Sequence, residues 1–337
     1  MQLFSQVQKR FLDEIKGKMP VNVAFADVLA NDLNISNDSA YRRIRGDTFL
    51  SFQECMILCN KYNVSLDSLF VNASNYVMFS YRGIDYESYG YDTYFKSVVE
   101  NLEALKRFEV KEMLYGAKDV PLFYLFMFDK LAAFKLFFWM SNIHHFPEYE
   151  NMVFDEKLIS KETLRLAKKV WESYINVPST EIWSEETIVV TLKQIEYMYD
   201  SGRITSRDVA IGLLEEFKAV LLHIQKQAEK GYKFPFEKDN EVNKENIFNL
   251  YYNEILISDT TIYFQMEDKS MAFLGHNVMN ILTTTDELFC RHTYKILNNI
   301  IRSSTLISVV AEKVRNTFFL KLINKTNDCI KRIETNN

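Results

Sequence analysis

"LANDLNISNDSAYRRIRGDTFLSFQECMILCNKYNVSLDSLF", Leu29 to Phe70, places Arg42, Arg43 and Arg45 within four residues of a chain whose net charge is −5. Just upstream and into it, Phe25, Val28, Leu29 and Leu33 recur at helical spacing and share one apolar face. Leu33-Asn34-Ile35 then makes a turn. Ser36 stands where its hydroxyl would cap a second helix, and Gly46 where the left-handed conformation would end it. Two short helices joined by a tight turn make a helix-turn-helix. Further on, Ser51-Phe52-Gln53-Glu54 has the spacing of a capping box, in which Ser51 serves an orphan amide and Glu54 reaches back to another. The helix it opens is expected to turn Phe52, Cys55, Met56, Cys59 and Tyr62 toward a core. Ser65 to Phe70 reads as a last short helix that closes a five-helix domain.

Within the second helix, Asn37 to Arg45, a rotation of about 100° per residue puts Asn37, Asp38, Tyr41, Arg42 and Arg45 on one stripe. Ala40 and Ile44 fall on the opposite side. The stripe carries groups that match nucleic acid: Asn37 suits adenine, Arg42 suits guanine, and Tyr41, Arg43 and Arg45 suit phosphates or bases. Asp38 would accept from cytosine, orient an arginine or favour the positive helix end. Ser39 completes the candidate DNA-binding set.

"LANDLNIS" followed by "YRRIRG", a further helix and "YNVSLDSLF" resembles the Cro/repressor-type (XRE) helix-turn-helix. "SAYRRIRGD" is similar to the variant in BetR-type regulators. The resemblance spans about residues 5 to 70. It implies a transcriptional regulator whose second helix enters the major groove of double-stranded DNA. The sequence departs from that pattern at Arg43, where related motifs bury an aliphatic residue three positions after the one matching Ala40. Its next apolar residue is Ile44, so a rotated helix is an open alternative. A solvated arginine face on a protein-interaction adaptor is the competing reading, because fold alone does not settle function.

Charge argues for local rather than general contact with DNA. Within the first 72 residues Lys and Arg are matched in number by Asp and Glu, so any affinity must come from clustering on one face. A single near-neutral site would bind weakly. A homodimer reading two half-sites is therefore expected.

Length and composition bound the rest. The chain has 337 residues, 47% hydrophobic, with only 9 Gly and 5 Pro, which suits a folded helical protein of two domains. The first residues lack the pattern of a secretory signal, and the four cysteines are too scattered for a disulfide scaffold, so a cytoplasmic location is expected. Val120 to Ile143 approaches membrane-spanning length. Asp129, Lys130 and Lys135 interrupt it, and each central charge costs about 2.5 to 3.5 kcal/mol against about 0.3 to 0.6 returned per Leu or Phe. A buried helix or subunit contact is the better reading, with no membrane partner.

Residues 73–90 are polar and Tyr-rich and read as a linker; 91–337 form a larger unit. Helical periodicity covers Lys161 to Tyr174, Glu185 to Asp200, Ser206 to Lys230 and much of the chain after Asp286. Residues 249–282 alternate and suggest a three-stranded antiparallel meander with turns at Ser258-Asp259 and Glu267-Asp268. The expected fold class is mainly α: a helix-turn-helix domain plus a larger helical dimerisation domain with a small antiparallel sheet. Five dispersed histidines announce no metal site, and no phosphate loop, nucleophile elbow or cofactor motif is present, so no catalytic residue is assigned and no enzyme activity is expected. The 26 Phe and 19 Tyr fill a core, build an interface or surround an unknown small-molecule or protein effector.

Overall fold

The computed structural model describes residues 2–19, 24–66, 76–81, 83–84, 90–105, 108, 111–237, 245–255, 257–267, 269–277, 280–335. The chain divides into a unit of Met1–Met78 and a unit of Phe79–Asn337.

The smaller unit contains α1 (Gln2–Gly17), α2 (Phe25–Leu33), α3 (Asn37–Arg45) and α4 (Phe52–Tyr62). Each helix after α1 ends as its sequence dictates. Asn34 closes α2 with φ +54, Gly46 closes α3 with φ +81, and Asn63 closes α4 with φ +51. Asn and Gly are the residues that enter the left-handed region most readily, so the three turns are set locally. Ser36 and Ser51 both accept the amide three residues on, and Ser51 and Glu54 complete the capping box. The core joins Phe11, Leu12 and Ile15 of α1 to Leu29, Leu33, Ala40 and Leu58. The closing helix expected at Ser65–Phe70 falls largely outside the described residues.

One helix face differs from expectation. In α4 the fully buried residue is Leu58, whereas Phe52 is 76% exposed and Met56 44% exposed. Cys55, Cys59 and Tyr62 are only partly buried against the core. The apolar residues of α4 are spread around the helix, so periodicity did not single out a face. Leu58 was the one that faced the other helices.

The larger unit is organised by an eight-stranded sheet in the order β1-β7-β6-β5-β2-β3-β4-β8. The strands are β1 (Ser80–Tyr81), β2 (Lys111–Gly116), β3 (Ser179–Trp183), β4 (Phe248–Tyr252), β5 (Thr261–Met266), β6 (Lys269–Asn277), β7 (Asn280–Thr284) and β8 (Thr305–Leu306). β2, β3 and β4 run parallel, and β5, β6 and β7 extend the sheet antiparallel from β2. Parallel neighbours need long crossovers, and helices supply them. α6 (Asp129–Phe138) and α7 (Lys161–Tyr174) connect β2 to β3; α8 (Val189–Asp200) and α9 (Arg207–Lys230) connect β3 to β4. α5 (Tyr91–Ala104) precedes β2, α10 (Glu287–Arg302) follows β7, and α11 (Glu312–Thr335) ends the described chain.

Alternation along the strands divides the core between the two sheet faces. Met113, Tyr115, Ile262 and Phe264 join the large core shared with α5, α6, α7, α9 and α11. Leu114, Ile182, Tyr263 and Ala272 point to the other side, where Cys290 and Leu297 of α10 cover them.

This architecture corrects the expectation of a mainly α chain with a small antiparallel sheet. The larger unit is an α/β fold on an eight-stranded mixed sheet. Of the expected meander over 249–282 only the β5–β6 pairing forms as read: its first strand is β4, which runs parallel to β3 and is separated from β5 by β2 and β3, and the segment read as its third strand divides into β6 and β7. "STEIW" at Ser179–Trp183 is buried at four of its five positions, so it lacks the polar-apolar alternation that marks a half-buried strand. The segment Val120 to Ile143 is a 3₁₀ turn, α6 and a π turn, lying almost wholly in the core, with Lys135 itself buried. Among the described residues no helix is long and apolar enough to cross a membrane, and no group of three or more His, Cys, Asp or Glu could hold a metal ion.

Candidate nucleic-acid interface

Helix α3 is fixed from its apolar side. Ala40 is fully buried, and Ile44 packs against the same cluster as Leu29, Leu33 and Leu58. At its start the Ser36 hydroxyl accepts the Ser39 amide at 3.3 Å and donates to the Ser39 hydroxyl at 3.0 Å. At its end the Gly46 and Asp47 amides return to the Arg43 and Arg42 carbonyls at 3.1 and 2.9 Å. A Cβ on Gly46 would lie 2.5 Å from Ser5 Oγ, so both the backbone and the contact with α1 call for glycine.

Arg43 is engaged within the unit. Its Nε and Nη2 donate to Glu54 Oε2 and Oε1 at 3.2 and 2.7 Å, and its Nη1 donates to the Ser39 carbonyl at 3.2 Å. Glu54 Oε2 also accepts the Ser51 amide at 2.7 Å. The position that should have been aliphatic thus holds a fork-shaped pair that links α3 to the cap of α4. Burial pushes the Glu54 carboxyl up, but hydrogen bonds from Arg43 and the Ser51 amide outweigh it and leave it below the usual carboxylate range.

Gln8 is a second internal tie. Its amide donates to the Arg43 and Thr48 carbonyls at 2.8 and 2.9 Å and accepts the Leu50 amide at 2.8 Å. The α3–α4 loop is therefore clamped to α1. Lys61 and Tyr62 of α4 both bind the Asp32 carboxylate of α2. Sequence spacing gave no signal for these ties, because each joins residues 29 to 42 positions apart.

The other candidates face outward. Tyr41 is 51% exposed, and Arg42 is exposed with no partner among the described residues. Arg45 is exposed while its Nε donates to Asp47 at 2.9 Å. Asn37 is exposed at the helix start, with its amide donating to Asp27 of α2 at 2.9 Å. Asp38 is exposed and Ser39 half-buried. A ridge of Asn37, Tyr41, Arg42 and Arg45 is therefore presented by a rigidly held helix, interspersed with Asp27, Asp38 and Asp47. An exposed ion pair such as Arg45–Asp47 is worth about 0 to 1 kcal/mol.

Two further features lie on this unit. Burial pushes the Cys55 thiol up, aided by Cys59 and Glu54, and burial likewise raises Cys59, which works against thiolate chemistry at this pair. Phe49, Phe52 and Met56 form an apolar run at the start of α4, 48%, 76% and 44% exposed. No family model matches the chain, and neither a curated protein nor a solved structure matches it.

Proposed function

We propose that the chain is a cytoplasmic, sequence-specific DNA-binding transcriptional regulator that reads the major groove with α3. The observation that carries this reading is the solvent-facing row of Tyr41, Arg42 and Arg45 on a short helix whose opposite side is locked by Ala40 and Ile44. Asn37 at the helix start exchanges Asp27 for an adenine edge, and Arg42 meets guanine. Arg43 takes no part, since its donors serve Glu54 and Ser39. The resemblance to Cro/repressor-type helix-turn-helix regulators supports the same docking. The chain acts as a homodimer on two half-sites, about 34 to 36 Å apart or a multiple of that.

The experiment is selection of duplexes from a random pool by the full chain, followed by titration across salt concentrations. An enriched sequence whose affinity falls as salt rises is the expected outcome, because phosphate contacts release counterions. Recovery of unselected sequences with no salt dependence rejects the reading.

A second reading, a protein-interaction adaptor, is favoured by one observation: the exposed Phe49, Phe52 and Met56. Exposed aromatic and Met side chains are enriched where proteins meet. Phe52→Ser separates the two. It leaves DNA selection intact if α3 is the working face and abolishes partner capture if α4 is.

A further inference from the structure

A cavity of about 500 Å³ lies between α10 and the ends of β2 and β3. The topology builds it. β4 and β5 are consecutive in the chain but separated in the sheet by β2 and β3, so the connection between them crosses the ends of both strands. Ile255, Ile257 and Asp259 of that connection form one wall, and Phe289, Thr293 and Leu297 of α10 form the other. Gly116, the last residue of β2, lies at the base, where a Cβ would stand 3.2 Å from Leu297 Cδ2.

Two enclosed polar side chains line this space with unused capacity. Asn253 follows β4 and is 3% exposed; its backbone amide donates to the Trp183 carbonyl at 2.8 Å and its Nδ2 to Ser304 Oγ at 2.8 Å. Ser304 Oγ gives its own proton to the Ile300 carbonyl at 2.7 Å, so it can only accept from Asn253, which fixes which end of the amide points where. Asn253 Oδ1 receives no hydrogen bond from the described residues. Thr293 is 6% exposed, and its Oγ1 has no partner among the described residues, whereas the Thr317 and Thr326 hydroxyls of α11 each return to the carbonyl four residues back. Neither oxygen is sealed from solvent. Buried amide and hydroxyl oxygens are normally satisfied, so two of them on the wall of an open cavity mark where the polar head of a guest belongs.

The rest of the lining is mostly aliphatic, with Ile182, Ile257, Leu274, Leu297 and Ile300 around the single ring of Phe289. Flat guests are held best between aromatic faces, so these walls suit a flexible hydrocarbon chain. Charge narrows the head group. The described lining holds no Lys, Arg or His, and Asp259 is its one formal charge. A carboxylate or phosphate would shed its water and meet no cation. An ammonium would shed its water for Asp259 alone, whose exposed carboxylate is screened. An uncharged head that both donates and accepts loses least.

We propose that this cavity binds an uncharged aliphatic molecule of the fatty-amide class, its chain against the isoleucines, its N–H donating to Asn253 Oδ1 and its carbonyl accepting from Thr293 Oγ1. The volume lies within the range of about 300 to 1,000 Å³ found for small-ligand sites. The site stands on the larger unit alone, and binding is measured without DNA, so this proposal and the DNA-binding reading can fail separately.

The test is calorimetry and thermal unfolding of the full chain with octanamide and hexanamide, beside octanoate and octylamine as charged guests of the same chain length as the first. Octanamide should bind saturably and raise the unfolding temperature as its concentration rises. Hexanamide should bind more weakly by about fourfold for each missing methylene. Octanoate and octylamine should both bind more weakly than octanamide. Thr293→Val keeps the shape of the side chain and removes a hydroxyl that the fold does not use, so unfolding without ligand should be unchanged while octanamide affinity falls about threefold to tenfold. Absence of saturable octanamide binding at millimolar concentration, tighter binding of octanoate or octylamine, or an octanamide affinity that Thr293→Val leaves unchanged would each overturn the proposal.

Discussion

Arg43 and Glu54 face each other across the turn between α3 and α4 through two parallel hydrogen bonds, 3.2 and 2.7 Å long, with side chains 16% and 14% exposed. Removing one partner leaves the other charge half-buried and unanswered. Arg43→Ala is therefore expected to destabilise the smaller unit by about 1 to 3 kcal/mol. Chemical denaturation followed by a probe in residues 1–78 measures it. The pH dependence follows with a definite sign. Glu54 titrates below its ordinary value of 4.5, so its contribution is complete above that pH and is lost as pH falls through the lowered folded value. Glu54→Gln should flatten the acid side of the stability profile.

Arg42 and Arg43 are neighbours with opposite assignments. Arg42→Ala should lower affinity for the selected duplex by about 1 to 3 kcal/mol and relax preference at one base, with unfolding unchanged. Arg43→Ala at a temperature where the unit remains folded should leave base preference as it was. An Arg42→Ala protein that retains full operator affinity would remove Arg42 from the interface.

His223 of α9 is expected to contribute to the acid sensitivity of the larger unit. It is 3% exposed, and its Nε2 lies 3.0 Å from the Phe234 carbonyl oxygen and from Gln227 Nε2. Burial pushes it down to about 4, against the hydrogen bond to Phe234. The folded unit thus keeps the ring neutral while the unfolded chain takes a proton below its ordinary 6.5. Its contribution is complete above pH 6.5 and is lost as pH falls toward 4, by at most about 3 kcal/mol. Urea midpoints measured across that window should fall for the native protein and stay flatter for His223→Gln.

Local chemistry was legible in the sequence, and long-range pairing was not. The bounds of α3, its Ser36 and Gly46 caps and the Ser51–Glu54 box were all readable, because each is decided by residues within four positions. α7 at Lys161–Tyr174 was readable from its single apolar stripe. β3 was missed because a strand enclosed on both faces carries no alternation, and its parallel partners lie more than sixty residues away. At the candidate interface, spacing placed Arg42, Arg43 and Arg45 together. The removal of Arg43 from the exposed row depended on Glu54, whose capping role was visible but whose second set of partners was not.

Lys233 offers the sharpest linkage test, because it is fully enclosed beside Glu181. The Glu181 carboxylate accepts from Tyr174, Tyr124 and Ser179 hydroxyls at 2.5, 3.0 and 3.2 Å and from Trp183 Nε1 at 2.9 Å. Lys233 Nζ is 3.9 Å from that carboxylate, donates to the Val177 carbonyl at 2.9 Å and lies 3.6 Å from the Tyr174 ring centroid. Burial pushes Lys233 down to about 7, with Glu181 opposing. Between pH 7 and its ordinary 10.5 the unfolded chain binds the extra proton, so this residue makes stability rise with pH through that window and fall toward pH 7. Lys233→Met removes the titration and leaves Glu181 its four other donors. The difference in unfolding free energy between native protein and variant should therefore change steadily across that window, in favour of the native protein as pH rises. A difference that is constant with pH would show that Lys233 keeps its proton in the folded core.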